Sequence, residues 1–419
     1  MTGPLWDVLP AGWLVGQVRN AATVTLGKML QSRNSGSDVL APYMRAANVQ
    51  PDGVLALDDV NEMWFSDAEL EQLSIRAGDV VVVEGGQGGF GRAAYVAEAL
   101  SGWGFQNSIN RLRPIGDFDG RFIAFYLIAL RASGFIRAYS NVVSMPHLTA
   151  EKLARIPMPM PHLEEQRAIA DYLDREVTRI DTLIEEQQRL IGMLRERRAA
   201  AIEEAVEAVR TTGQRLKHII RSVRQGWSPQ CYPWAADGIE SWAVLKAGAA
   251  NGGVFRPMEN KELPETETPR PEIVVTQGDL IVSRANTRDL VGSAAVVDGD
   301  YPQLMLCDKL YAFALDGAQA LPRFVAVVLG SRRWRDKIEL EATGASHSML
   351  NVSQSDIINL PMPVPPLDDQ RRALSRLDEQ TAKIDALMTE TEQFIELARE
   401  RRVALITAAV TGQIDVHKM

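Results

Sequence analysis

Two stretches of the chain repeat apolar residues at heptad spacing. Each begins just after a proline, Pro161 or Pro365, and nothing interrupts the pattern before about Val209 or Val410. Because proline is disfavoured inside a helix and about 45 residues rise 1.5 Å each, the pattern predicts two helical rods roughly 70 Å long. Apolar spacings of three and four residues are typical of a coiled-coil seam. The predicted seam consists of Leu173, Val177, Ile180, Ile184, Ile191 and Leu194 in the first helix, and Leu377, Ile384, Met388, Ile395 and Leu405 in the second.

The two rods are expected to pair with each other, antiparallel, and to hold the globular parts of the chain apart. Gln187, Arg198, Thr391 and Arg402 are polar residues on the same heptad columns, a device that often fixes the register of a coiled coil. The alternative is that each helix packs only on its own globular domain. A rod of about 70 Å, however, outreaches a domain of about 150 residues, whose radius of gyration is about 15 Å.

The segments outside the rods alternate strand-like and helical patterns. Residues 79–83 and 92–96 are typical of strands, and the apolar stretch 122–130 predicts a buried helix. Residues 278–282, 292–297 and 324–329 repeat that order in the second half of the chain. These patterns predict a mixed α+β fold of the α/β class, present twice.

The chain is an internal duplication. Residues 156–209 align without a gap on the residues 204 positions later, with 22 identities in 54 pairs. A period of about 200 residues has the size of a domain, which is too long for a solenoid repeat. We therefore expect a pseudo-two-fold arrangement of four parts: globular domains at residues 1–160 and 211–363, and spacer helices at 161–210 and 364–419. The globular domains have diverged much more than the helices.

Charge is distributed unevenly along the chain. The formal net charge is −9, but residues 1–161 carry 13 Lys+Arg against 15 Asp+Glu, and residues 211–364 carry 16 against 17. Most of the acidic excess therefore lies on the helices, and the chain lacks the overall basic excess that nucleic-acid binders usually show. Any basic surface must be local within the near-neutral domains.

The sequence shows no catalytic, metal or cofactor constellation. The five histidines are scattered, and the two cysteines, Cys231 and Cys307, have no counterparts in the first half, so neither a zinc site nor a structural disulfide is expected. No apolar run approaches the roughly 20 residues that span a bilayer, and no signal-peptide layout is present, so the interpretation is a cytoplasmic protein without a membrane partner.

One glycine-rich motif suggests a dinucleotide-binding turn. Gly86, Gly88 and Gly91 have the G-x-G-x-x-G spacing directly after a predicted strand. The internal copy of this loop, residues 283–292, has a single glycine and two more residues, and a strand-like segment follows it again. This difference between the copies favours a variable hairpin tip over a pyrophosphate cradle.

The repeated motifs resemble a known family. Gly78-Asp79 and Gly278-Asp279 open strands, Leu148-Thr149 and Val352-Ser353 precede the helices, and Pro-x-Pro-x-Pro-x-Leu-x-x-Gln-Arg leads into both rods. Residues 343–346 also resemble the family's Gly-Ser loop, whereas the first copy at residues 139–143 departs from it. Over essentially the whole chain, these features resemble the specificity subunit of type I restriction-modification systems.

The resemblance implies a non-catalytic DNA-recognition subunit. In that family two target-recognition domains each read one half of a split DNA sequence, and the helices act as a ruler for the gap. It implies double-stranded DNA, two methyltransferase subunits and restriction subunits as partners, with a role in host defence against foreign DNA. Because the chain is acidic, we expect the methyltransferase subunits to supply part of the phosphate neutralisation. The alternative is a duplicated scaffold on a coiled coil that binds a protein target.

Polar and basic residues on the loops are the candidates for DNA contact, since Arg and Asn suit guanine and adenine edges. For each one, an ordinary solvated surface residue is an equally good interpretation. The candidates are Gln87 and Arg92 in the first domain, and Arg284, Asn286, Thr287, Arg288, Ser346, His347 and Asn351 in the second.

Overall fold

The chain folds into two compact units in the computed structural model. The structure describes residues 3–86, 88–140, 147–209, 213–346 and 349–418. The first unit consists of Met1–Gln188 and Gln393–Met419, and the second of Arg189–Glu392. Each unit therefore contains one globular part and a segment of each long helix.

The globular part of the first unit precedes the first long helix. Its described elements are, in chain order, β1 (Leu14–Gln17), α1 (Val18–Ala21), β2 (Ala22–Leu26), β3 (Val39–Met44), β4 (Asn61–Phe65), α2 (Asp67–Gln72), β5 (Val80–Val83), β6 (Ala93–Tyr95), β7 (Gly104–Phe105), β8 (Ile109–Pro114), α3 (Gly120–Ala132), α4 (Phe135–Tyr139), α5 (Ala150–Ala154) and β9 (Pro157–Met160), followed by the long helix α6 (Leu163–Glu207).

Strand β5 lies at the centre of this part. A four-stranded antiparallel sheet has the order β2-β8-β5-β6, and a three-stranded sheet has the order β4-β3-β7. The four valines of β5 are fully buried. Val80 and Val82 belong to the core that contains α3, whereas Val81 and Val83 belong to the core of the three-stranded sheet. An uninterrupted apolar strand is expected when both of its faces are covered.

The second unit repeats this topology. Its described elements are β10 (Gln214–Arg215), β11 (Ile220–Gln225), β12 (Ala243–Leu245), β13 (Asn260–Glu262), β14 (Leu280–Ser283), β15 (Ala285–Asn286), β16 (Ala294–Val296), β17 (Leu304–Met305), β18 (Leu310–Leu315), α7 (Pro322–Gly330), α8 (Arg332–Glu341), β19 (Thr343–Ser346), β20 (Met349–Asn351), α9 (Gln354–Ile358) and β21 (Pro361–Met362), followed by the long helix α10 (Leu367–Val410).

The sheets of the two units correspond strand by strand. The order β11-β18-β14-β16 matches β2-β8-β5-β6, and β13-β12-β17 matches β4-β3-β7. The predicted duplication of a mixed α+β fold is thus confirmed. The second unit also contains a small sheet of order β15-β20-β19. Residues 343–346, interpreted from sequence as a loop, are therefore a strand: the Thr343–Ser346 backbone pairs with β20.

The repeated Gly-Asp motif forms the turn before the central strand. Gly78 has a φ of +93° and Gly278 one of +88°, a region that favours glycine. The buried Asp79 accepts the Arg76 amide and forms an ion pair with Arg113, while Asp279 accepts the Thr276 amide and forms an ion pair with Arg224. The motif is thus explained by turn geometry and a satisfied buried carboxylate.

The two long helices pair antiparallel within each unit. In the first unit, Arg402 of α10 contacts Asp181 of α6 at 2.9 Å. In the second, Arg198 of α6 contacts Asp385 of α10 at 2.9 Å, and Ala201 and Ala205 share a cluster with Leu377. Residue numbers rise along one helix as they fall along the other, as expected from the sequence. Of the eleven predicted seam residues, nine are buried, and Met388 and Leu405 are half-buried.

The glycine-rich segment Gly86–Gly91 connects two neighbouring antiparallel strands. Val80 pairs with Tyr95 and Val82 with Ala93, so β5 and β6 form a hairpin. A dinucleotide-binding turn instead leads from a strand into a helix N-terminus. The hairpin interpretation is confirmed for this loop.

Candidate nucleic-acid interface and helix junctions

A buried glutamine joins the first long helix to the globular part of the first unit. Gln166 is 1% exposed. Its Oε1 accepts the Asp119 amide at 3.0 Å, and its Nε2 donates to the carbonyls of Pro161 at 2.8 Å and Asp117 at 3.4 Å. Asp119 is the N-cap of α3, since its side chain accepts the Arg121 amide. The beginning of α6 is therefore tied to the beginning of α3.

Gln370 makes the equivalent junction in the second unit. It is fully buried, its Oε1 accepts the Leu321 amide at 2.8 Å, and its Nε2 donates to the carbonyls of Gln319 and Pro365, both at 2.8 Å. Leu321 is the residue before α7. The glutamine of the repeated Pro-x-Pro motif thus has the same three types of partner in both units.

An arginine–aspartate contact accompanies each glutamine. Arg121, in the first turn of α3, contacts Asp171 at 2.6 Å and Asp174 at 2.9 Å on α6. Burial disfavours its charged form, but hydrogen bonds to Asp119 and these two aspartates raise the pKa of Arg121 above its usual value. Arg323 forms the equivalent ion pair with Asp378, and that hydrogen bond raises the pKa of Arg323.

A third contact is present in the first unit. Arg402 Nη1 lies 3.2 Å from Asp52 Oδ1, and its Nη2 donates to the Asp52 carbonyl at 3.0 Å. Asp52 lies in a turn with a φ of +64°, and Gly252, with a φ of +69°, has the same place in the second unit. Because Gly252 has no side chain, Arg198 has no carboxylate partner equivalent to that of Asp52.

The space beside these residues differs in volume between the units. A cavity of about 220 Å³ is lined by Asp52, Phe125, Ile128 and Arg402 in the first unit. In the second unit the corresponding cavity is about 670 Å³. The equivalent lining residues there are Gly252, Val327, Gly330 and Arg198. Smaller side chains leave the second junction more open.

One of the two first-unit candidates for DNA contact, Arg92, lies on the β5–β6 hairpin. Gln87 is outside the described residues. Arg92 is half-buried, its Nη1 donates to the Val49 carbonyl at 3.4 Å, and its buried Nε has no partner among the described residues. Arg92 is therefore partly engaged within the domain.

The second-unit candidates differ in how free their side chains are. Arg284 is half-buried, and its guanidinium lies 5.8 Å from the centre of the Tyr311 ring. Asn286 donates to Asn251 at 3.2 Å and accepts the Thr287 amide at 2.9 Å. Arg288 is exposed but forms an ion pair of 2.7 Å with Glu339. Thr287 is exposed.

The small sheet of β15, β20 and β19 brings several of these candidates together. Ala285 pairs with Asn351, and Asn286 with Leu350, so the segment after β14 lies against β20. Ser346 ends β19 and pairs through its backbone with Met349, while His347 lies outside the described residues. Asn351 is half-buried. In the first unit, Gly85 bridges His147 at the corresponding place.

Two features of the globular parts were not predicted from the sequence. Glu84 in the first unit occupies the position that Arg284 has in the second. Burial raises the pKa of Glu84, and the charge of the nearby His147 opposes that shift. Tyr232 and Trp234 are exposed and stack on each other with ring centres 4.6 Å apart. The alternating aromatic pattern of residues 232–234 is the signal that could have indicated this pair.

The described residues contain no group of three or more His, Cys, Asp or Glu side chains that could hold a metal ion. Among the same residues, no helix has both the length and the apolar character needed to cross a membrane.

Comparison with known proteins gives consistent matches. Residues 59–191 match the model of the type I restriction modification DNA specificity domain. The EcoEI specificity subunit of Escherichia coli is 29% identical over 196 residues, which cover 47% of this chain and 33% of that protein. The StySPI specificity subunit of Salmonella potsdam is 21% identical over 98% of this chain and 90% of its own length.

A solved structure supports the fold. A chain from a study of complex assembly and conformational transition of the type I R-M system superimposes with a TM-score of 0.70 at 18% identity. The superposition covers 97% of this chain and 100% of that one. In its sequence matches the chain is similar to the specificity subunits of type I restriction-modification systems, which are the non-catalytic components of those complexes, and it shares the fold of this solved chain.

Proposed function

We propose that the chain recognises the DNA target of a type I restriction-modification complex by reading a motif in two separate halves. The observation that carries this proposal is the pair of globular parts, which share a strand order but differ at the loops after the central strand. Two different half-sites require such divergence, because side chains at base edges specify sequence. Residues 1–160 and 211–363 are then the target-recognition domains.

The loops after β5 and β14 are the proposed base-reading surfaces. Arg284 is the strongest candidate, since its planar guanidinium is suited to bidentate contact with guanine. Arg288 must first exchange its ion pair with Glu339, and Asn286 already uses its amide internally. The remaining candidates are Thr287, Arg92 and Gln87 in the segments after β14 and β5, Ser346 and Asn351 in β19 and β20, and His347.

The long helices, at residues 161–210 and 364–419, are the proposed ruler for the gap. DNA half-sites one helical turn apart are about 34 Å from each other. Helices of 45 and 44 residues are long enough to impose such a spacing at about 1.5 Å per residue. The repeated Arg–Asp contacts support a defined helix register.

The outer faces of the helices support docking of two copies of one partner, which we propose to be methyltransferase subunits. The first unit exposes Leu183 and Leu397, and the second exposes their equivalents, Leu387 and Met193. Apolar side chains exposed at equivalent positions are what two copies of one partner require. Restriction subunits would join the same assembly, and the proposed location is the cytoplasm.

Methylome sequencing tests this function. Cells that express the methyltransferase partner with and without this chain are compared, and the expected result is a split motif of two short elements with one fixed gap, methylated only when the chain is present. A continuous motif would contradict reading in two halves, and methylation that is independent of the chain would contradict DNA recognition and favour the protein-binding scaffold.

A further inference from the structure

We propose that Gln166 and Gln370 are positioning residues that fix the gap between the two DNA half-sites, an inference that rests on the proposed function. Neither side chain needs to touch DNA. Each acts through the helix that it ties to a globular part, and the test is therefore the gap length that the complex accepts.

The geometry of the junction makes each glutamine a fixed connection. The Gln370 side chain uses its acceptor and both amide hydrogens, on Leu321, Gln319 and Pro365, while excluded from water. Rotation of α7 against the start of α10 would break these hydrogen bonds inside the protein, where no solvent replaces them. Strands β14 and β16 pack on α7. The hydrogen bonds of Gln370 therefore set the orientation of the globular part relative to α10.

A change in gap length requires such a rotation. One additional base pair moves a half-site by about 3.4 Å along the DNA and turns it by about one tenth of a helical turn. Translation without rotation would point the base-reading loops at the backbone. A globular part that is held rigidly on its helix therefore rejects neighbouring gap lengths.

The two junctions should not be equally sensitive. In the first unit, Arg402 adds contacts to the Asp52 carboxylate and carbonyl. The second unit has Gly252 at that position and the cavity of about 670 Å³ beside it. Loss of Gln370 should therefore relax the gap more than loss of Gln166, and adding Asp52→Gly to Gln166→Leu should remove the difference.

The experiment compares Gln370→Leu, Gln166→Leu and Gln166→Leu/Asp52→Gly in complexes with the methyltransferase partner. The control is Gln188→Leu, which removes an exposed glutamine from α6. The readout is methylation, by sequencing, at sites whose gap is one base pair longer or shorter. For Gln370→Leu we expect methylation at these altered-gap sites to increase roughly tenfold, within the about 5- to 150-fold change that typical coupling free energies produce. The two half-site sequences should stay unchanged. The control should keep a single gap.

Each outcome decides the inference. If Gln370→Leu is active but methylates only the wild-type gap, the inference is wrong. If Gln370→Leu does not fold, Gln370→Glu replaces it, because this change keeps the size and the acceptor oxygen of the side chain but removes the amide donor to the Gln319 and Pro365 carbonyls; additional gaps then support the inference and a single gap overturns it. A wild-type protein that reads a continuous motif would instead disprove the proposed function itself.

Discussion

Single side chains distinguish the parts of each unit that hold the fold from the parts available for DNA. Asp79, Asp279, Gln166 and Gln370 are buried and have satisfied hydrogen bonds, so their repetition in the sequence is explained within the protein. Arg284 is different. It is half-buried on Tyr311, and its buried Nε lacks a partner among the described residues. Contact of the guanidinium with the Tyr311 ring limits its conformations, which favours recognition of a planar base edge.

Arg284→Ala should relax recognition at one position of one half-site. A bidentate contact with guanine contributes about 1–3 kcal/mol of discrimination against other bases, so a roughly tenfold or larger loss of preference is expected. Arg288→Ala should have a smaller effect, because Glu339 already neutralises Arg288. Methylome sequencing of both variants measures this, with Arg155→Ala as the control for loss of an exposed arginine. Unchanged specificity in Arg284→Ala would remove that residue from the interface.

Glu84→Gln should change how stability depends on pH. Because burial raises the pKa of Glu84 above 4.5, the folded protein binds more protons than the unfolded chain above that pH. Wild-type stability attributable to Glu84 is thus fully present below 4.5 and decreases as the pH rises through the raised pKa. The variant should have a higher Tm than the wild type near neutral pH, with no advantage at about pH 4. Thermal unfolding across this range, with Glu71→Gln as the control, measures the difference; equal curves would contradict it.

At the scale of elements, the two helix pairs are held by equivalent contacts in different surroundings. Arg402 and Arg198 occupy equivalent positions, and each contacts an equivalent aspartate at 2.9 Å. The Arg402 side chain, however, is 5% exposed and also binds Asp52, whereas the Arg198 side chain is 38% exposed. The same pair of residues should therefore contribute differently to stability.

Arg402→Ala should destabilise the first unit more than Arg198→Ala destabilises the second. Removing one partner of a buried pair costs about 3–5 kcal/mol, and we expect about 2 kcal/mol here because Asp181 is half-exposed and Asp52 is exposed, so water can solvate both carboxylates. For Arg198 the loss should be under about 1 kcal/mol, as for other surface pairs. Calorimetric unfolding of the full chain provides the comparison. Equal losses would show that burial of Arg402 has no energetic consequence.

The helices and the duplication could be predicted from the sequence, because heptad spacing and the 204-residue repeat are properties of the chain itself. The sheet of β15, β20 and β19 could not, since β15 pairs with a segment more than 60 residues away and its two residues carry no strand pattern of their own. The role of Gln166 could not be predicted for the same reason. The alignment shows that this glutamine is identical in the two copies, but its hydrogen-bond partner Asp119 lies 47 residues earlier in the chain.

At the scale of the whole molecule, charge sets a condition on DNA binding. The chain has a net charge of −9, and the acidic excess lies mostly on the helices. Several second-unit arginines are already committed to internal partners, including Arg224, Arg288 and Arg323. These arginines must exchange their internal partners before they can neutralise phosphates, whose neutralisation supplies a large share of protein–DNA affinity.

The isolated chain should therefore bind its target DNA weakly, and the complex with methyltransferase subunits should bind it tightly. Each phosphate contact contributes about −0.9 to the slope of log K against log salt, so the slope should be much steeper for the complex than for the chain alone. Fluorescence anisotropy with target and scrambled duplexes, over a series of salt concentrations, measures both quantities. The scrambled duplex separates target recognition from attraction to any DNA. Tight, sequence-specific binding by the chain alone, with a steep salt slope, would mean that its own residues neutralise the phosphates, and the proposed division of labour between subunits would be wrong.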